Sequence, residues 1–162
     1  MTGINPGQLL TFVTRPALEI IGLGGMAAEQ IMTGISLQES NSGYYLHQLG
    51  NGPAIGLDEV ERATHDDLWT NFLPCHPDLK AKLSTLLIEG LPKADQMAGN
   101  LYYATAMARL VLYRRPEPLP AAGDLAGQAA FYKQFYNTAG GAASVDQYIA
   151  NWNAAKASSL WA

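Results

Sequence analysis

At 162 residues, the chain has the length of one compact domain, and a domain near that size buries about 70% of the surface its unfolded chain exposes, enough for a core without disulfides or metal. A 48% hydrophobic content excludes wholesale disorder, and 10 basic against 14 acidic residues, net −4, exclude the basic footprint of a nucleic-acid binder. The single cysteine, Cys75, excludes an intrachain disulfide framework and a thiolate zinc cluster, and no apolar run reaches the roughly 18 residues of a membrane span.

Proline and glycine punctuate a chain of helical lengths. Leu9 to Ile21 is apolar around Pro16, which predicts two short helices meeting there and ending at Gly22, Gly24 and Gly25. Met26, Ala27, Ile31 and Ile35 share one helical face running to about Gln38. Asn41, Ser42 and Gly43, then Gly50 to Pro53, read as turns, with a small hairpin expected between them. Thr64 and Asp67 suggest a capping arrangement for a helix through Leu73. Pro77 suits the first turn of the next helix, whose buried face is Leu79, Leu83, Leu86 and Leu87, and Gly90 and Pro92 stop it.

Lys93 to about Arg114 carries the longest helical pattern. Its stripe of Met97, Leu101, Ala104, Ala108, Val111 and Leu112 marks it as the core helix. The stretch from Pro116 to Pro120 reads as a stiff linker. A helix follows from Leu125 to Tyr136, then a turn at Gly140 and Gly141. Ser144 and Gln147 form a capping-box pattern for a last helix through about Ala157. The expected fold class is all-α or mostly α, in one domain over residues 1–162, with at most a short hairpin.

Four segments carry the chemistry. Leu37-Gln38-Glu39-Ser40 sits where an apolar helix gives way to a turn. Gly56-Leu57-Asp58-Glu59 follows the turn at Gly52 and Pro53. Phe135-Tyr136-Asn137-Thr138-Ala139-Gly140 ends a later helix, and Asn100-Leu101-Tyr102-Tyr103 lies between the last two. In this order the four segments, over roughly residues 26–140, resemble the goose-type lysozyme and lytic transglycosylase superfamily. There a Glu-Ser pair closes a core helix, a Gly-Leu-Met-Gln segment follows, and an Ala-Tyr-Asn-Ala-Gly segment lines a sugar groove. Asp58-Glu59 departs from the family's Met-Gln.

The resemblance implies a lysozyme-like fold and a glycosidase, a lytic transglycosylase or muramidase cleaving the N-acetylmuramic acid to N-acetylglucosamine bond of peptidoglycan, with Glu39 as general acid. A carboxylic acid that stays protonated near neutral pH suits that chemistry, and an apolar helix end desolvates it. Hydrolysis with inversion would need a second carboxylate to hold water. Asp58, Glu59 and Glu61 are the candidates, with Glu59 favoured because it replaces the family's Gln. Ser40, Asn100, Tyr103, Tyr136 and Asn137 are the expected sugar contacts. Tyr102 and Tyr103 point about 100° apart on a helix, so one belongs to the core; Tyr103 is assigned to the groove.

The remaining chemistry-bearing residues read as structural. His47, His65 and His76 lack ligand spacing, so no metal or cofactor is expected. Cys75 and His76 are adjacent and do not face each other as a nucleophile and base would. Trp69, Trp152 and Trp161 read as packing residues, and Arg114 and Arg115 suit a helix C-terminus. The start of the chain has no basic region and its apolar stretch is interrupted at Arg15, Pro16 and Glu19, so no secretory signal is expected. An acidic protein gains no steering toward an anionic wall. The expected setting is a bacteriophage product, carried in the virion or released to the wall from the host cytoplasm, with the glycan strand and other virion proteins as partners. The other reading is a phage tail or baseplate protein that keeps the fold without the activity.

Overall fold

A computed structural model describes residues 3–137 and 141–162. The protein is mostly α, with one two-stranded sheet among the described residues.

The first helical stretch crosses Pro16 without breaking. Asn5 caps α1 (Pro6–Leu9), accepting from Gly7 N at 3.0 Å and Gln8 N at 3.2 Å, and a π turn over Leu10–Thr14 leads into α2 (Arg15–Ile21). Proline offers no N–H and its ring crowds the carbonyl four residues back. The wider turn, in which Arg15 N–H reaches Leu10 O, absorbs this without the expected junction of two separate helices. Gly22, at φ 74°, ends α2.

α3 (Met26–Ser40) runs two residues beyond Gln38. Arg15 grips its first turn through two parallel bonds to Glu29, Nε to Oε1 at 3.0 Å and Nη2 to Oε2 at 2.9 Å, and Trp161 Nε1 donates to the same carboxylate at 3.1 Å. Three consecutive left-handed residues, Asn41 (φ 52°), Ser42 (φ 57°) and Gly43 (φ 80°), end the helix. Ser42 N–H bonds back to Ser36 O at 2.8 Å, which satisfies a terminal carbonyl of the helix.

The hairpin lies later than expected. β1 (Ala54–Ile55) pairs antiparallel with β2 (Val60–Glu61), Ala54 opposite Glu61 and Ile55 opposite Val60; His47 adds an isolated bridge to Ile55. The Gly50 to Pro53 turn therefore precedes the hairpin, and residues 56–59 are its loop. α4 (Arg62–Asp67) begins two residues before Thr64, with Glu61 at its N-cap, so Thr64 and Asp67 form no capping arrangement. A π turn over Leu68–Phe72 extends it. α5 (Pro77–Ser84) buries Leu83 fully, while Leu79, Leu86 and Leu87 pack partly buried against the core.

The predicted long helix from Lys93 is two. α6 (Gln96–Gly99) stops at Asn100, whose φ of −99° and ψ of 89° are non-helical, and α7 (Leu101–Tyr113) starts after it. Every residue of α7 from Tyr103 to Leu112 is buried, which makes it the central helix. α8 (Leu125–Tyr132) continues into a π turn over Lys133–Asn137. In α9 (Val145–Ala154) the capping box forms: Ser144 Oγ accepts from Gln147 N at 3.1 Å and Gln147 Oε1 accepts from Ser144 N at 2.9 Å. A 3-10 turn over Ala157–Trp161 follows.

α9 packs along α3. Gly34 makes this possible, since a Cβ there would meet Tyr148 Oη at 1.9 Å. Tyr148 is fully buried, with Oη donating to Ile31 O at 3.3 Å. A large apolar cluster spans α2, α3, α7, α8 and the hairpin, and a smaller one joins Leu37, Trp152 and Ala157. Trp152 and Trp161 stack with ring centroids 5.8 Å apart. No described helix is long and apolar enough to cross a membrane.

Candidate functional site

The C-terminus of α3, the hairpin and the end of α8 meet around a groove of about 650 Å³, within the size range of small-molecule sites. Gln38 and Glu39 supply one wall. Ala54, Glu59, Val60 and Glu61 of the hairpin, with Gln48 and Thr64, supply the second. Tyr136, Asn137, Gly141, Ala142, Ala143 and Gln147 supply the third, and Val111 of the core helix reaches it from α7.

The hairpin loop is locked to α3 by two polar contacts, one from Ser40 and one from Ser36. Ser40 Oγ donates to Leu57 O at 2.5 Å and accepts from Gly43 N at 2.7 Å. Ser36 Oγ donates to Asp58 Oδ1 at 2.5 Å. Tyr136 Oη donates to Asp58 O at 2.7 Å, which ties the same loop to the end of α8. Gly56 is required: its φ is 85°, and a Cβ there would meet Met97 O at 2.3 Å. Glu59 also lies in the left-handed region, at φ 49°, without glycine's freedom. Such backbone conformations cost of order 1–3 kcal/mol and cluster at functional sites.

Glu39 is half-buried at the groove, and Tyr132 Oη donates to its Oε1 at 2.6 Å. Loss of hydration pushes the Glu39 carboxyl up to about 7; the Tyr132 hydrogen bond opposes that shift and the charge of Glu59 adds to it. Glu59, on the facing hairpin wall, is also raised by burial. Asp58 turns away from the groove. It is 1% exposed, its Oδ2 has no partner, and burial raises its carboxyl to about 7 against the lowering effect of Ser36. Two neighbouring carboxyls therefore bind protons near neutral pH for the same reason, and only Glu39 faces the groove.

The structure brings Glu39, Glu59, Tyr136 and Asn137 together and leaves Ser40, Asn100 and Tyr103 out of the lining. Ser40 is 1% exposed and uses its hydroxyl to hold the hairpin loop. Asn100 is the N-cap of α7: its Oδ1 accepts from Tyr103 N at 3.1 Å and its Nδ2 donates to Leu86 O at 2.7 Å. Tyr103, not Tyr102, is the core tyrosine. It is fully buried, its Oη accepts from Trp69 Nε1 at 2.8 Å, and His65 Nε2 lies 2.7 Å away. These side chains are spent on the fold, so they cannot serve as sugar contacts in this arrangement.

Asn137 Oδ1 accepts from Lys133 Nζ at 2.9 Å, and the same ammonium donates to Gly141 O at 2.8 Å. That contact fixes the third wall across the segment's end; Thr138, Ala139 and Gly140 lie outside the described residues. The sequence reading missed Tyr132 as the partner of Glu39, and missed Gln38, Gln48 and Gln147 as lining residues. The available signal was the spacing of Tyr132 and Tyr136, four apart on one helical face; their rings stack with centroids 6.1 Å apart.

Among the described residues no group of three His, Cys, Asp or Glu side chains stands ready to hold a metal. The groove offers one carboxyl poised to exchange a proton near neutral pH, two further carboxyls, Glu59 and Glu61, on the hairpin wall, an aromatic ring and several neutral amides. That set can protonate a leaving oxygen and hydrogen-bond a neutral polar chain. The chain matches no known protein-family model, no curated protein and no solved structure.

Proposed function

We propose that the groove is the active site of a glycosidase acting on peptidoglycan, with Glu39 as general acid. The observation that carries the reading is Glu39 itself: a carboxyl held near 7 by burial, facing an open groove, with its orientation set by Tyr132. An acid of that pKa retains its proton near neutral pH and can hand it to a glycosidic oxygen as the bond breaks, leaving an oxocarbenium-like sugar.

The resemblance of the Glu39-Ser40, Gly56-Leu57 and Tyr136-Asn137 segments to the lytic transglycosylase and goose-type lysozyme superfamily supports N-acetylmuramic acid to N-acetylglucosamine linkages as the substrate. The neutral amides of Gln38, Gln48, Asn137 and Gln147 suit hydroxyl and acetamido groups, and the Tyr136 ring suits a sugar face. Two routes complete the reaction. Glu59, on the opposite wall, serves as the base that holds water if the enzyme inverts; the muramyl 6-hydroxyl closes an anhydro ring if it is a transglycosylase.

The test is release of soluble fragments from purified peptidoglycan by the wild-type protein and by Glu39→Gln, with products identified by mass spectrometry. Loss of at least ~100-fold in rate in Glu39→Gln is expected for removal of a general acid. Anhydromuramyl ends identify the transglycosylase and reducing ends the hydrolase. No release by folded wild-type protein from several wall types overturns the enzyme reading in favour of a structural protein.

A further inference from the structure

The C-terminal half of α7 and the turn after it carry two arginines, Arg109 and Arg115, that pair with no carboxylate among the described residues. Arg109, Leu112 and Tyr113 share one face of the helix, at spacings of three and four. The chain then turns at Arg114 and runs back past them through Arg115, Pro116, Glu117, Pro118 and Leu119. Between the helix and this proline-stiffened strap lies a cavity of about 280 Å³ lined by those residues. Val111, which lines the Glu39 groove, is on a different face of the same helix.

Arg109 is 7% exposed. Its Nε donates to Leu23 O at 3.2 Å, and its Nη1 is buried with no acceptor. The Nε of Arg115 is likewise buried without an acceptor. Both guanidinium groups are held by rings: Arg109 lies 5.7 Å from the Tyr113 ring centroid and Arg115 lies 6.0 Å from that of Phe135. The arginines elsewhere differ. Arg15 pairs with Glu29, Arg62 with Asp95 and Arg114 with Asp67. Among the described residues no carboxylate pairs with Arg109 or Arg115.

A guanidinium does not shed its proton in a protein, so burial cannot be relieved by neutralisation as it is at Glu39. A buried cation without an acceptor is costly, and Arg109 and Arg115 line one cavity with no carboxylate paired to either among the described residues. We propose that this cavity is a binding site for an oxyanion, either a carboxylate or a phosphoryl group, gripped by Arg109 and Arg115. The guanidinium fork matches the paired oxygens of both groups. Leu112, Leu119, Pro116 and Pro118 give the cavity apolar walls, which strengthen the charge interaction by excluding water. Glu117, exposed, is the one carboxylate in the lining and the built-in competitor for the same charge.

The test follows the arginine Nε–Hε NMR signals of the full chain during titration with inorganic phosphate and, separately, acetate, at constant ionic strength set with chloride. Saturable shifts at Arg109 and Arg115, absent at the exposed Arg62, are expected. Arg115→Gln, whose side chain is half-buried and whose folding is checked by thermal melting, weakens binding by about ten-fold or more. Glu117→Gln tightens it. Tighter binding of phosphate identifies a phosphoryl ligand, and tighter binding of acetate a carboxylate. Shifts that never saturate, that chloride alone reproduces, or that Arg115→Gln leaves intact overturn the proposal.

Discussion

Tyr132 Oη donates a 2.6 Å hydrogen bond to Glu39 Oε1, joining α8 to the end of α3 across 93 residues of sequence. The bond favours the ionised carboxylate, while burial favours the neutral acid and prevails. The balance leaves Glu39 near 7, where a small change in either contribution moves its protonation at neutral pH.

Tyr132→Phe removes only the opposing contribution. The Glu39 pKa is expected to rise by about one unit, the equivalent of a hydrogen bond to a charged group worth ~1.5 kcal/mol. Carbon-13 titration of the Glu39 carboxyl measures this directly. The alkaline limb of any glycan-cleavage profile moves upward with it. A pKa that stays put or falls would show that the Tyr132 hydroxyl does not stabilise the carboxylate.

Asp58→Asn makes stability less dependent on pH. The native Asp58 carboxyl, at about 7, lies above its unfolded value of 3.8. The native state therefore holds the proton more tightly, and stability from this group is fully present below the unfolded value and lost as pH rises through about 7. Asparagine carries no charge to bury and its side-chain oxygen still accepts from Ser36. Denaturant melts should give similar stabilities for the two proteins near pH 4, and a variant more stable by on the order of 3 kcal/mol near pH 8. Equal stabilities at both values would contradict the buried, proton-holding carboxyl.

Gly56→Ala should destabilise the fold by at least ~2 kcal/mol, because the substitution combines a left-handed backbone with a backbone clash. The added Cβ meets Met97 O at 2.3 Å, and that carbonyl cannot swing aside as a side chain would. Thermal melting reads the loss. An unchanged melting temperature would mean that the hairpin loop does not pack against α6 as described.

Ser40→Ala and Asn100→Ala test structural roles. Removing the Ser40 hydroxyl strands Leu57 O and Gly43 N, and removing the Asn100 amide strands Leu86 O and Tyr103 N. Each loss is expected to cost ~1–3 kcal/mol. Below their melting temperatures, both variants should retain the wild-type KM on peptidoglycan. A raised KM with unchanged stability would return either residue to the sugar groove.

The sequence by itself determined what depends on neighbours a few residues away. The mostly helical class follows from apolar spacing. The α9 capping box follows from Ser144 and Gln147, the stop of α2 from Gly22, and the burial of α7 from the apolar stripe of Leu101, Ala104, Ala108, Val111 and Leu112. Tertiary structure decided whatever depended on distant partners. Pro16 reads locally as a break, yet the helix continues through a π turn because packing on both sides outweighs one lost hydrogen bond. Asn100 reads as a position inside a long helix, yet it divides that helix because Leu86 O offers its amide a partner from another segment.

The site shows the same division. The order of the four segments, and the family resemblance it carries, drew attention to Glu39, Glu59, Tyr136 and Asn137. Nothing local distinguished them from Ser40 or Tyr103, whose polar atoms are consumed by Leu57, Trp69 and His65. A proton affinity is likewise set by the dielectric and the partners that folding brings, not by residue type. Asp58 and Glu59 are adjacent in the chain, and only the fold sends one carboxyl into the interior against Ser36 and the other to the groove opposite Glu39.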